Sequence, residues 1–254
     1  MIHSTHPSLA PESDGSGPLV LMYHRVGHPS NRSKTAGQFV RPKAFTRQMT
    51  ALARLRLEVI PLEEVARHTR KEARYSARQL AITFDDGFSN LYENAFPVLR
   101  HHSYPATIFL ISRYTGQINT YHPPEGEIYE RLLSADEILE MRSTGISFGS
   151  HSQHHARLTE CSSESLIDEV AGSRQDLQQL LNEEIPSFCY PYGAFDNTVR
   201  EAVVNAGYTL ACSTMKGQNH AGDDPYLLRR INIRADTWFP VFLYKLARAR
   251  WADR

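Results

Sequence analysis

The chain has 254 residues, with 28 lysines and arginines against 28 aspartates and glutamates, so its formal charge is zero. That balance lacks the basic surplus of a nucleic-acid binder, and no nucleic-acid partner is expected. Hydrophobic residues at 41% and charged residues at 22% belong to a folded domain rather than a disordered chain. Three cysteines, at 161, 189 and 212, are too few and too widely spaced for a disulfide framework or a structural zinc knot. Twelve histidines are many, and where they cluster carries the functional reading.

Residues 1–17 (MIHSTHPSLAPESDGSG) read as a flexible lead-in, with neither the basic start nor the apolar core of a signal peptide. The longest apolar runs, such as 106–112, fall far short of the roughly 18 residues a membrane span needs. No integral membrane segment is expected, and the expected location is the cytoplasm.

From residue 18 onward strand and helix alternate. Residues 18–24 (PLVLMYH) form a strand, and Phe45, Met49, Leu52 and Leu55 recur at helical spacing. A minimal strand over 58–60 leads to a helix over 62–68, then to the buried strand 80–84 (LAITF). Residues 90–101 follow as a helix that tolerates or bends at Pro97, and 106–111 as a strand. The segment 113–133 breaks the rhythm with Gly116, Pro123, Pro124 and Gly126 among tyrosines 114, 121 and 129. A loop of that length usually serves as a lid or binding wall.

Ser134 and Glu137 form a capping box that opens a helix over 135–142. A strand over 146–150 precedes a long amphipathic helix over 163–181, with Leu166, Val170, Leu177 and Leu181 inward. Residues 187–191 form a strand, and Asp196 caps a helix that buries Val199 and Val203. Strands over 208–213 and 228–233 precede the last helix, 238–251. That helix packs Phe242 and Leu246 on the body and turns Lys245 and Arg248 to solvent. Alternating strands and helices imply parallel βαβ units. Seven or eight of them in about 235 residues favour a single-domain closed barrel over 18–254.

Three polar clusters fall at the C-terminal ends of separate strands, the rim where a parallel barrel builds its site. The first is Asp85-Asp86-Gly87. Two adjacent carboxylates leaving a buried strand repel each other, and a divalent cation would relieve that repulsion while leaving one carboxylate free as a base. The plain alternative is a helix-capping Asp with a glycine turn. The second is His151-Ser152-Gln153-His154-His155, in which one helical turn would set His151 and His155 on one face, with His154 able to compete. Two histidines and one carboxylate leave open coordination positions, as a catalytic metal site requires. The third is Tyr190-Pro191-Tyr192-Gly193.

Thr83-Phe84-Asp85-Asp86-Gly87, Ser150-His151-Ser152-Gln153-His154-His155 and Tyr190-Pro191-Tyr192-Gly193, in that order, resemble the motifs of the polysaccharide deacetylases, carbohydrate esterase family 4 with the NodB-homology domain. The opening Val20-Leu21-Met22-Tyr23-His24-Arg25-Val26 is similar to the branch acting on bacterial exopolysaccharide, including poly-N-acetylglucosamine. The resemblance implies a distorted (β/α)7 barrel that deacetylates an N-acetylated saccharide. It implies that Asp86, His151 and His155 hold a divalent metal, Zn2+ first, with Ni2+ or Co2+ compatible. It implies that Asp85 is the general base and that the Tyr192 backbone N–H holds the oxyanion. Tyr190, Pro191 and Tyr192 are then expected to bind substrate.

The chain departs from that pattern in three places. Where the family has an arginine that orients the base stands Cys189, so Arg229 or Arg230 is expected to take over, Arg230 being preferred. Cys189 as a nucleophile is the sharper alternative to a buried core thiol. The family's late Leu-x-His acid has no match, which leaves His24 as the stand-in and His220 as a weaker one. The fourth motif, an Asp with a nearby Trp, is missing, since Trp238 falls too late. Competing functions are a hydrolase of another acyl group, an inactive carbohydrate-binding relative, and a metal-free glycosidase using Asp85.

Overall fold

The computed structural model describes residues 17–31, 33–76, 78–121 and 129–251. The lead-in 1–16, Pro123, Pro124 and Gly126 lie outside the described residues. The described residues form ten strands: β1 (Leu19–Tyr23), β2 (Arg25–Val26), β3 (Phe39–Val40), β4 (Glu58–Val59), β5 (Gln79–Phe84), β6 (Ala106–Leu110), β7 (Ile146–Ser150), β8 (Ser187–Cys189), β9 (Leu210–Cys212) and β10 (Ile231–Asn232). Seven run in the order β10-β1-β5-β6-β7-β8-β9, with β4 added beside β5 and every pairing parallel. A parallel bridge from Cys212 to Leu228 brings the segment leading into β10 against β9, so the sheet curls round almost to closure. This is the single barrel that the strand–helix alternation predicts, in the distorted (β/α)7 form that the family resemblance implies. β2 and β3 pair separately.

Side-chain parity sorts every strand into two faces. Leu19, Leu21 and Tyr23 of β1, Leu80, Ile82 and Phe84 of β5, and Ile108 and Leu110 of β6 point outward into the layer beneath the helices. Val20, Ala81, Phe109, Cys189, Cys212 and Leu228 point into the barrel, where Leu62, Val65 and Ala66 of the helix Leu62–Thr69 join them. That helix plugs the N-terminal end of the barrel and leaves one open mouth. Gly149 is required by the same packing, because a Cβ there would lie 2.7 Å from the Phe109 ring.

Several elements differ from the expected ones. The helix Pro42–Arg54 buries Phe45, Met49 and Leu52 but stops before Leu55, which is 49% exposed. The segment around Pro97 is two helices, Asn90–Asn94 and Phe96–His102. Proline occupies the first turn of the second, where its missing N–H breaks no helical bond. The long helix is Ser163–Ile167 and Ser173–Leu181 joined by a π turn, Asp168–Gly172. The helix caps at Ser134 and Asp196 differ in kind. Ser134 and Glu137 satisfy each other's backbone N–H, whereas Asp196 simply accepts from Val199 N–H at 2.9 Å. In the last helix, Phe239–Trp251, Phe242 and Leu246 are buried and Arg248 is exposed, but Lys245, expected in solvent, turns back to donate to Asn232 O at 2.7 Å and Thr237 Oγ1 at 2.9 Å. No described helix is long and apolar enough to cross a membrane.

Candidate active site

Parity also selects which polar residues meet at the mouth. Met22 pairs with Thr83 and Tyr23 with Phe84, so the next pair, His24 and Asp85, turns inward together. Asp85 N–H donates to Tyr23 O at 2.9 Å, and His151 N–H to Leu110 O at 2.7 Å, which extends both strands by one residue. Asp86 follows in the left-handed region, with φ of 72°, and its carboxylate is thereby swung beside the histidines.

The histidine segment is not the helical turn that its spacing predicts. Ser152 and His155 have φ of 66° and 59°, values that stop a helix from forming. Serine hydroxyls stabilise the alternative turn. Ser150 Oγ accepts from Ser152 N–H at 3.2 Å, and Ser152 Oγ accepts from His155 N–H at 3.0 Å. The turn still brings His151 and His155 together, with ring centroids 4.9 Å apart. His154 points away, its Nδ1 2.7 Å from Glu169 Oε1.

Asp86 Oδ1 lies 3.5 Å from His151 Nε2 and 3.4 Å from His155 Nε2, and all three side chains are buried. His151 Nδ1 sits 2.7 Å from Cys189 O, so it carries the proton and leaves Nε2 as a lone pair facing Asp86. Burial pushes the Asp86 carboxyl up, but His155, His24, His151 and Arg25 outweigh it and hold the group below the ordinary range. Two imidazole nitrogens and a carboxylate oxygen converging on one point suit a divalent cation of intermediate softness, with positions left open.

The second aspartate is fixed differently. Arg230 Nη1 donates to Asp85 Oδ1 at 2.7 Å and Nη2 to Oδ2 at 2.9 Å, a bidentate pair with both side chains buried. Parity explains why Arg230 and not Arg229 makes the contact. Leu228, Arg230 and Asn232 share the inward face, whereas Arg229 is half-exposed, 4.0 Å from Asp223. Cys189 supplies the room, its Sγ 3.1 Å from Arg230 Nη2. Burial alone would raise Asp85, yet Arg230 and His24 hold it far below the usual carboxylate range. Burial pushes the Cys189 thiol well up, which keeps it protonated. His24 Nε2 is 3.9 Å from Asp85 Oδ2. Burial lowers its pKa, and the two aspartates oppose that shift. His220 lies elsewhere, its backbone N–H bonded to Asp223.

His24, Asp85, Asp86, His151 and His155 line a cavity of about 190 Å³ together with Tyr190, Tyr192, Gln38, Thr214, Asn232 and Arg234. Tyr192 has φ of 59°, and its ring stands 4.5 Å from His155 and under the Arg157 guanidinium. Its backbone N–H takes no hydrogen-bond partner among the described residues. Tyr190 is buried with its hydroxyl donating to Tyr226 O, and Pro191, expected to bind substrate, is buried and does not line the cavity. Asn232 and Arg234 were legible in the alternation Ile231-Asn232-Ile233-Arg234, which turns the isoleucines into the core and the polar pair to the mouth. Gln38 and Thr214 carry no comparable sequence signal.

Residues 72–211, more than half of the chain, match the family described as Polysaccharide deacetylase. The chain belongs to the polysaccharide deacetylase family. It is therefore an enzyme of the hydrolase class. A poly-beta-1,6-N-acetyl-D-glucosamine N-deacetylase of Staphylococcus aureus is 24% identical over 239 residues, covering 87% of this chain and 80% of that protein. Two solved structures share the fold, both at 24% identity and covering 91% of this chain and 98% of theirs. They are IcaB from Ammonifex degensii, with a TM-score of 0.79, and the Streptococcus pyogenes deacetylase PplD in complex with acetate, at 0.78.

Proposed function

We propose that this deacetylase removes the N-acetyl group of an amino sugar within a polysaccharide or its precursor, using a divalent cation held by Asp86, His151 and His155. The observation that carries the reading is the division of labour between neighbouring aspartates. One faces two imidazoles, and the other is locked by Arg230 within the same cavity. A cation in that triad supplies Lewis-acid polarisation of the acyl carbonyl and acidifies water, with Zn2+ the best match to the donor set and Ni2+ or Co2+ compatible. Asp85, kept ionised by Arg230, takes the proton of the attacking water. Tyr192 N–H donates to the oxygen that becomes negative. His24, on the same side as Asp85, returns a proton to the leaving nitrogen. A nitrogen-linked acyl group is favoured over an ester by the activity named for the S. aureus relative.

Acetate release from N-acetylglucosamine oligomers tests this directly. Chelator is expected to abolish activity, and Asp85→Asn to lower kcat by about 10²–10⁴-fold. Activity indifferent to both would sink the mechanism. Faster release from O-acetyl sugars would move the substrate to the ester class.

A further inference from the structure

In the loop over 113–133 the described residues form an outgoing and a returning leg. Its two legs are zipped together. Asn119 N–H donates to Glu130 O at 3.0 Å, Glu130 N–H to Asn119 Oδ1 at 2.6 Å, and Leu132 N–H to Gln117 O at 2.9 Å. The returning leg is tied to the turn that carries the aspartates, through Leu133 N–H to Gly87 O at 2.8 Å. The deepest anchor is Arg25, which is fully buried. Its Nε donates to Glu130 Oε2 at 2.6 Å, Nη1 to Gln38 Oε1, and its guanidinium lies 3.6 Å from the centroid of Phe88. A buried charge of this kind persists only when it is fixed on several sides, and here the fixing runs into the loop.

What the zipped legs present to the site is Tyr121. Its ring lies 4.9 Å from His155, and Tyr114 braces it edge-on at 5.2 Å. Tyr192 stands against His155 from another direction. His155 is thus packed between two tyrosine rings, in a backbone conformation that L-residues seldom adopt.

We propose that Tyr121, held by the Arg25–Glu130 ion pair, is a positioning residue that fixes the imidazole plane of His155 and so sets the affinity of the Asp86/His151/His155 triad for its cation. The inference rests on the reading of that triad as a metal site. A ligand ring free to rotate no longer aims its lone pair at the cation. Loss of such outer supports costs about 10–100-fold in metal affinity.

The test is titration of chelator-stripped protein with Zn2+ and Co2+. It is read by competition with a chromophoric chelator and by the Co2+ absorption bands, with the Tm of each metal-free protein alongside. Tyr121→Leu is expected to weaken binding about tenfold or more and to alter the Co2+ bands, while Tyr121→Phe, which keeps the ring, stays within about threefold of wild type. Glu130→Gln, which does not touch the triad, is expected to weaken binding in the same direction, and it carries the test if Tyr121→Leu does not fold. Unchanged affinity and spectrum in Tyr121→Leu and Glu130→Gln would overturn the proposal, as would a loss in Tyr121→Phe equal to that in Tyr121→Leu. Wild-type protein that takes up neither cation would overturn the metal-site reading itself, and the inference with it.

Discussion

Removing the guanidinium of Arg230 while leaving Asp85 in place perturbs the pair on which the proposed base depends. The two side chains are 1% and 3% exposed and share two charge-assisted hydrogen bonds. Arg230→Met therefore strands a carboxylate in a desolvated mouth. Breaking a buried pair from one side costs about 3–5 kcal/mol, which lowers the Tm of a chain this size by on the order of 10 °C. The pH dependence fixes the sign. In the wild type, burial raises Asp85 but Arg230 and His24 outweigh it. Its stabilising contribution is then full above the unfolded carboxyl value of about 3.9 and is lost as pH falls through the lower folded value. In Arg230→Met burial is opposed only by the weaker pulls of His24 and His151, and the folded value rises above the unfolded one. The carboxylate then penalises the variant near neutral pH and ceases to do so once protonated. The Tm gap is widest near pH 7 and narrows towards about pH 4, and the acid limb of kcat/KM moves upward. Thermal melts across that range, on metal-free protein, provide the check. Asp85→Asn/Arg230→Met should recover most of the lost Tm, because the stranded charge is gone. A gap below about 1 kcal/mol, or one that is equal near pH 4 and pH 7, would refute the reasoning.

Three smaller perturbations separate chemistry from scaffold. Cys189→Ala should keep activity within about threefold of wild type in the acetate assay, because a thiol held protonated by burial is no nucleophile. A complete loss would restore the nucleophile reading. Gly193→Ala should lower kcat at least about tenfold with a modest loss of Tm. Its φ is 68°, a Cβ there would meet Thr214 Cγ2 at 2.6 Å, and the turn that must move carries Tyr192 N–H. Steady-state kinetics equal to wild type would contradict it. Ser134→Ala removes one half of the capping box and should cost about 1 kcal/mol in denaturant midpoint with KM unchanged. A shift in KM would mean that the helix Ala135–Arg142 positions substrate.

How far the sequence could be read depended on whether a feature was local. Strand parity is local. Once 80–84 is taken as a strand, Asp85 falls on the inward face, and the same count along Leu228 to Asn232 picks Arg230 over Arg229. Several strands were expected too long at their ends, whereas 146–150 forms with the expected bounds. Side chains alternate for a residue or two past the last ladder bond, as at 208–213 against Leu210–Cys212. The spacing of His151 and His155 suggested a helix because spacing records only distance along the chain. Serine hydroxyls and two positive φ angles, neither of which leaves a periodic trace, bring the rings together by another route. Arg25 was hidden for the opposite reason. Its partner Glu130 is 105 residues away, and nothing near an arginine announces a carboxylate at that separation.

Arg230 sits in the segment that closes the barrel, between the bridge at Leu228 and the pairing of β10 with β1. This spreads the site widely along the chain. All three members of the Asp86/His151/His155 triad have been translated by residue 155, but the counter-ion of Asp85 arrives 145 residues after it. A chain clipped before this segment keeps Asp86, His151 and His155 but loses both the bidentate partner that holds Asp85 and the strand that closes the barrel against β1.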